Sequence, residues 1–363
     1  MKVAFLLPQY DNDPIGGFKV VYEYANHLSR KGHEVAIVYP RRLKRLASSH
    51  IHETPRSRLL RYKAELMRIL KKPKISWFSL DSKIKLIIVP DLEARYIPDA
   101  DAVFATAWQT SQYVNDYPPE KGAKFYLVQD FAPWLANQSE LELTWLMPLK
   151  KVAISSWIAE LTLQAGAPRE DVTVIPSAVD HGRFRVINNI LERPQRIIML
   201  YSSQPYKRSQ LGLSVLLRCK ETVPNLEVSL FGPIRRRPKE LPAWVEYHGG
   251  VSESQLIRLY NAAAIYLCSS AAEGFALPPA EAMACGCAVA TTDCGGNRDY
   301  ARNKETALVS DPDDFESLVS NTLRLLSDEE LRVKIALAGR ERMMDFTWEK
   351  SSQQLTEFIR YNL

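Results

Sequence analysis

The chain of 363 residues predicts an α/β protein built from two Rossmann-like domains, each a doubly wound parallel sheet. Three observations carry that prediction. The length exceeds what one hydrophobic core usually fills and favours two domains of about 150 to 200 residues each. Two series of continuous apolar runs alternate with amphipathic segments, the pattern of buried parallel strands joined by crossover helices. A polar stretch, "HGRFRVINNILERPQ", separates the two series near residues 182 to 195.

The first series opens with the strand "KVAFLLP", the amphipathic helix "GGFKVVYEYANHLSRKG" closed by Gly32, and the strand "HEVAIVYP". Further strands are predicted at "DAVFATA", "KFYLVQD", "KVAISS" and "VTVIP". The second series runs through "RIIMLYS", the helix "SQLGLSVLLRCKETV", "LEVSLFG", "VEYHGG", the helix "SESQLIRLYNAA", "IYLCSS", a short apolar helix and "AVATTD". The tail "FTWEKSSQQLTEFIRYNL" predicts a terminal amphipathic helix. These runs divide the chain into a first domain over 1–187, a second over 188–345 and a terminal helix over 346–363. A ligand is expected where the carboxyl ends of both sheets face one cleft.

Composition narrows the function classes. No apolar run approaches the ~20 residues of a membrane span, and "MKVAFLLPQYDND" lacks a cleavable-signal pattern, so a cytoplasmic protein is expected. Five cysteines without a CxxC pair argue for reduced thiols and against a zinc or disulfide framework. The net charge of +5 is uneven: residues 41–74 hold twelve Lys or Arg against Glu53 and Glu65, leaving the remainder near −5. Leu59, Leu66 and Leu70 recur there at helical spacing. The segment reads either as a solvated helix with an ordinary core stripe or as a basic amphipathic element suited to an anionic membrane surface.

Two motifs can carry chemistry. Gly16 and Gly17 lie between the first strand and its helix, where amides unobstructed by Cβ atoms can approach a diphosphate. The loop is not GxGxxG, which removes support from a nicotinamide or flavin enzyme. The richer motif is "SSAAEGFALPPAEAMACGCAVATTD" at 269–293. Pro278 and Pro279 suit a first helical turn and Gly286 suits its end. The amides of Gly274, Phe275, Ala276 and Leu277 then point from a helix N-terminus at an anion or at hydroxyls. Glu273 and Glu281 can face one pocket at different depths, and a carboxylate accepts two hydroxyls at once, as in a vicinal diol. Alone, Glu273 reads rather as a solvated group and Glu281 as one that serves the helix dipole.

The whole string resembles the signature of the retaining family 4 glycosyltransferases, enzymes of the two-domain GT-B fold. The residues are "EGFALPPAEAMACG", then "AVATTDCGG" and "NRDY", with supporting likeness in "VEYHGGVSESQLIRLYNAA", "VTVIPSAVD" and "FTWEK". The resemblance implies transfer of a hexose or deoxyhexose, with retention, from a nucleoside diphosphate sugar to a hydroxyl on a saccharide or lipid-linked acceptor in bacterial polysaccharide or glycolipid assembly. It implies that Glu281 holds the ribose, that Glu273 and the amides from Gly274 to Leu277 hold the transferred sugar, and that Lys207 and Arg208 neutralise the diphosphate. Val251 would lie beside the nucleotide. Three departures stand out: Ser202 occupies the usual place of an Arg, Gln129 that of a His, and Ala276 that of a second Gly. Asp130 is the candidate for positioning or deprotonating the acceptor, with Gln129 beside it. "ATAWQT", "FYLVQDFAPW" and "YSSQPYKRSQLGL" look most like bacterial polysaccharide rhamnosyltransferases.

No cofactor and no divalent metal are expected, since no DxD pair falls in a plausible position for a metal–diphosphate bridge; "DND" at 11–13 has the spacing but lies in the N-terminal loop. Nucleic acid is not expected as a partner. Two rival readings are a nucleotide-sugar epimerase on the same fold and a non-catalytic subunit that binds a membrane or partner enzyme through its basic segment.

Overall fold

The computed structural model describes residues 1–44, 75–129, 131 and 138–363. They form two compact units, one comprising Met1–Ala153, Leu161–Ile175 and Ser352–Leu363, the other Ile154–Glu160 and Pro176–Ser351.

The first unit holds a parallel sheet in the order β3-β2-β1-β4-β5-β6-β7. Its strands are β1 Lys2–Leu6, β2 Glu34–Pro40, β3 Lys85–Val89, β4 Ala102–Ala105, β5 Ala123–Val128, β6 Lys150–Ala153 and β7 Val172–Val174. Helix α1, Gly16–Arg30, crosses from β1 to β2, and α2, Trp108–Asn115, crosses from β4 to β5. Helix α3, Gln138–Trp145, precedes β6, and α4, Ser156–Gln164, follows it. The order reverses between β1 and β4, so Gly16 and Gly17, which open the helix after β1, and Gln129, which follows β5, lie at the carboxyl ends of those strands, beside that reversal.

The second unit repeats the plan with the order β10-β9-β8-β11-β12-β13. Its strands are β8 Arg196–Leu200, β9 Glu227–Phe231, β10 Val245–Tyr247, β11 Ile265–Cys268, β12 Ala288–Thr292 and β13 Leu308–Ser310. The helices are α5 Ser209–Thr222, α6 Glu253–Ala262, α7 Leu277–Ala284, α8 Phe315–Ser327 and α9 Glu329–Met343. The core runs from Ile197 and Met199 on β8 through Leu230, Leu267 and Ala290 to Leu325 and Ile335. Here the reversal falls between β8 and β11, so the loops after Leu200 and Cys268 open side by side.

The strands read from the sequence all form, and two more join them. β3 and β13 are edge strands; β3 carries the apolar run LIIV, which the sequence reading passed over, whereas β13 is only three residues long. The final helix α10, Trp348–Tyr361, begins in the second unit and continues in the first, where Phe358 meets Phe125 edge-on at 5.9 Å.

The division between units also differs from the 187/188 and 345/346 boundaries read from composition. Residues 176–187 are polar but are hydrogen-bonded into the second unit. Val179 N–H donates to the Phe346 carbonyl at 3.1 Å, and Ile187 N–H donates to Asn261 Oδ1 at 2.7 Å. Arg193, only 7% exposed, donates to the carbonyls of Tyr260, Ala263, Asn188 and Cys285 and to Asn261 Oδ1. The polar stretch is therefore a strap built on a buried guanidinium. Removing it leaves several buried carbonyls without a donor. Arg193→Ala is expected to lower unfolding stability by about 3 kcal/mol in chemical denaturation, whereas a loss below about 0.5 kcal/mol, typical of surface substitutions, would show that the strap carries no load.

Candidate functional site

The site grows from the two adjacent strand ends. After β8 the chain turns through a 3-10 turn, Pro205–Lys207, before entering α5. The loop after β11 grips that turn through backbone groups: Ala271 N–H donates to the Tyr206 carbonyl at 2.7 Å, and Ser269 Oγ donates to the carbonyls of Lys207 and Arg208 at 3.2 and 3.0 Å. The side chain of Lys207 is thereby delivered to Glu273, with Nζ 2.5 Å from Oε1. Ser270 Oγ donates to the same oxygen at 2.7 Å. The two charged side chains are 14% and 11% exposed. Burial works against the Lys207 charge, yet attraction to Glu273, supported by Tyr206, outweighs it and raises the lysine pKa above its usual value. The ammonium also lies 5.2 Å from the Tyr206 ring centroid.

A pocket at these strand ends is lined by Lys207, Cys268, Ser270, Glu273, Pro278 and Pro279, among others. Its far wall is the start of α7, whose first turn holds both prolines, as their missing amide donors favour. Ala276 caps this helix at φ 60° and ψ 66°, in the left-handed region. The loop is held there from behind. Phe275, 2% exposed, packs between Tyr300 at 5.3 Å and Phe346 at 5.8 Å, and the Tyr300 hydroxyl donates to the Ala276 carbonyl at 2.7 Å. Glu273 N–H donates to the Cys294 carbonyl at 2.9 Å, and Gly296 N–H returns to the Glu273 carbonyl at 3.1 Å. A Cβ on Gly296 would stand 2.4 Å from the Glu273 carbonyl oxygen, so the backbones meet only because this residue is glycine. Gly286 ends α7 at φ 86°.

Glu281, on α7, is 5% exposed, so neither acid of the motif is a solvated surface group. It does not line the pocket that Glu273 lines. Val251 precedes Ser252, which caps α6 by accepting from Gln255 N–H at 3.3 Å. In the first unit, Gly16 and Gly17 begin α1 behind Ile15. Gln129 donates from Nε2 to the Thr106 carbonyl at 2.9 Å and lies against Gly17, where an added Cβ would be 3.4 Å from its Oε1. Asp130 and residues 45–74, nearly all of the basic segment, lie outside the described residues. No described helix is long and apolar enough to cross a membrane.

With this geometry in place, comparison with known proteins is informative. Residues 180–342 match the glycosyl transferases group 1 family. The second unit carries a group 1 glycosyltransferase domain. The chain is 32% identical over 111 residues to the O-antigen chain mannosyltransferase B of Escherichia coli, which covers 31% of this chain and 29% of that protein. It is 24% identical over 278 residues to the mannosylfructose-phosphate synthase of Agrobacterium fabrum, covering 69% of this chain and 61% of that one. The matches thus span less than two thirds of either curated relative. Sucrose-phosphate synthase from Thermosynechococcus elongatus superposes with a TM-score of 0.71 at 16% identity, over 99% of this chain and 98% of that one. The Anabaena protein HepE, solved with UDP and glucose, superposes with a TM-score of 0.74 at 15% identity, over 99% and 100% of the two chains. The fold is GT-B.

Within the group 1 domain the departures from the family pattern acquire physical content. Ser202 is a turn residue: its N–H donates to Ser209 Oγ at 2.8 Å and its Oγ accepts from Gln204 N–H at 3.2 Å. Arg208, itself at φ 45°, places Nη1 on the Pro312 carbonyl and on Asp313, each at 2.7 Å. Arg208 does not line the pocket, which leaves Lys207 as its cation. The Ala276 exchange is milder in type than in place. A left-handed alanine costs roughly 1–2 kcal/mol relative to a right-handed one, and such strain is commonly stored at functional loops. Sequence reasoning missed Ser270, Tyr300 and Gly296; only the Gly-Gly doublet hinted at the last. Ala276→Gly should leave stability unchanged or raise it by up to about 1 kcal/mol, because relief of strain offsets the added chain entropy. A clear loss of stability in chemical denaturation would contradict the strained cap.

Proposed function

We propose that the protein is a retaining glycosyltransferase that moves a hexosyl or deoxyhexosyl group from a nucleoside diphosphate sugar to a hydroxyl of a saccharide or lipid-linked acceptor, in bacterial polysaccharide or glycolipid assembly. The observation that carries this reading is the buried Lys207–Glu273 pair at the mouth of a pocket in the matched domain, beside the N-terminus of α7. One curated relative is named a mannosyltransferase and another a mannosylfructose-phosphate synthase, and HepE was solved with UDP and glucose.

In this reading the ion pair exchanges partners when the donor binds. A bound diphosphate offers Lys207 a doubly charged partner, and Glu273, released, accepts hydroxyls of the transferred sugar. The ammonium and the α7 amides then stabilise charge that grows on the leaving diphosphate, a role worth about 10²–10³ in rate for a single donor group. Glu281 is assigned to the ribose, the amides from Gly274 to Leu277 to the sugar and diphosphate, and Val251 to the nucleoside. Gln129, Gly16 and Gly17 belong to the acceptor and diphosphate side of the first unit. Charge neutralisation by Lys207 and a helix terminus is the basis for proposing metal-independent transfer. A cytoplasmic protein working at an anionic membrane surface fits such an acceptor.

Release of nucleoside diphosphate from a panel of UDP-, GDP- and dTDP-sugars, with calorimetry of the nucleotides alone, tests the proposal; absence of binding across the panel overturns it. Lys207→Ala is expected to lower kcat about 10²–10³-fold and Glu281→Ala chiefly to raise the donor KM, whereas unchanged kinetics in both would sink the assignment. The raised lysine pKa fixes a pH signature. Its charged form contributes fully below about pH 10.5 and is lost only as pH climbs through the raised value. Rate–pH profiles should therefore show no alkaline loss due to Lys207 before about pH 10.5, and a limb near neutrality that vanishes in Lys207→Arg would contradict this.

A further inference from the structure

The backbone of Glu273 is held by residues 294–296, and the side chain that braces those residues has no part in the mechanism above. Glu273 N–H donates to the Cys294 carbonyl at 2.9 Å and its own carbonyl accepts from Gly296 N–H at 3.1 Å, so Glu273 and Gly295 form one rung of a parallel bridge. Gly295 lies at φ 77° against the indole of Trp157. A Cβ on Gly295 would stand 2.3 Å from Cδ2 and 2.4 Å from Cε2 of that ring. The indole therefore fills the space that a side chain at 295 would need.

Trp157 is itself fixed in place. It lies in the first turn of α4, where Ile158 N–H donates to Ser155 Oγ at 3.2 Å and Ser156 N–H donates to Asp299 Oδ2 at 2.9 Å. Asp299 is anchored in turn, since its carbonyl accepts from Arg342 Nη2 at 2.7 Å. Helix α4 belongs to the second unit as far as Glu160 and to the first from Leu161 onward. The element that braces the Glu273 loop is thus the continuation of β6 of the first sheet.

We propose that Trp157 is a positioning residue for sugar transfer: through Gly295 it sets the place of the Glu273 carboxylate beside Lys207. The effect on turnover rests on the glycosyltransferase reading; the effect on the loop does not. The indole meets backbone rather than a side chain that could turn away, so its removal leaves a void bordered by the chain at 295. That chain is bonded to both the N–H and the carbonyl of Glu273, so a shift there carries the carboxylate with it. The turn that bears Lys207 is held separately, by Ala271 and Ser269. In the reading above Glu273 binds hydroxyls of the transferred sugar. Its displacement therefore slows turnover of a sugar donor and spares the affinity for a nucleotide that lacks the sugar.

The test uses the full chain. Trp157→Ala is expected to lower kcat for the best donor of the panel above about 10²-fold, as misplacing a positioning group by about 1 Å does, while the calorimetric Kd of the matching nucleoside diphosphate stays unchanged. Trp157→Phe should regain most of the loss. Trp157→Leu should fall between them, and it serves the same test should the alanine variant not fold. A cycle with Gly295→Ala separates the contact from general damage: the added methyl meets the indole in wild type and open space in Trp157→Ala, whereas its left-handed strain is the same in both. The kcat penalty of Gly295→Ala should then be about tenfold smaller in the Trp157→Ala background than in wild type. Unchanged kcat in Trp157→Ala, an equal fall in nucleotide affinity, or additive penalties would each overturn the proposal.

A crystal structure of Trp157→Ala reads the geometry directly. Residues 294–296 and the Glu273 carboxylate should be displaced, and an unaltered Lys207–Glu273 contact would overturn the proposal whatever the activity. If that contact shifts while wild type neither binds nor turns over any nucleotide sugar, the positioning of Glu273 by Trp157 stands and the function proposed above fails.

Discussion

The site depends on one topological constraint: β8 and β11 are neighbours at the point where the sheet order reverses. Two loops that are 66 residues apart at Lys207 and Glu273 therefore leave the sheet side by side. Backbone groups complete the alignment before any charge is involved, since Ala271 and Ser269 bind the carbonyls of Tyr206, Lys207 and Arg208. Only then does a buried ammonium meet a buried carboxylate. Desolvation makes such a pair poor as a source of stability. In the function proposed above, this pair, 14% and 11% exposed, is a charge available for exchange with an anionic ligand.

The second constraint acts from behind the loop. Gly296 permits backbone contact with residues 273 and 274, while Tyr300 and Phe346 seat Phe275. This clamp holds Ala276 in a left-handed conformation that its own side chain disfavours. The amides from Gly274 to Leu277 are positioned by the packing of Phe275 against Tyr300 and Phe346. The apolar residues of the motif thus serve its polar ones.

Much of this was legible in one dimension. The apolar runs marked the central strands of both sheets, the Pro-Pro and Gly286 marked the limits of α7, and the spacing of Glu273 and Glu281 singled out the loop. Of the two edge strands that the reading missed, β13 is too short, at three residues, to leave a periodic signal, whereas the run LIIV of β3 was present in the sequence and passed over. The strap around Arg193 read as a polar linker, since nothing local distinguishes a guanidinium enclosed by carbonyls from one in water. Arg208 and Lys207 looked equivalent as adjacent cations, but a left-handed residue at 208 sends its side chain to Asp313.

By itself, the sequence determined the two-sheet architecture and the chemistry available at one loop, because strand burial and turn residues are properties of short windows. Tertiary structure alone decided which cation meets Glu273 and which glycine admits the backbone. Those pairings join residues far apart in the chain. They exist because parallel strands brought together by the sheet order bring their loops with them.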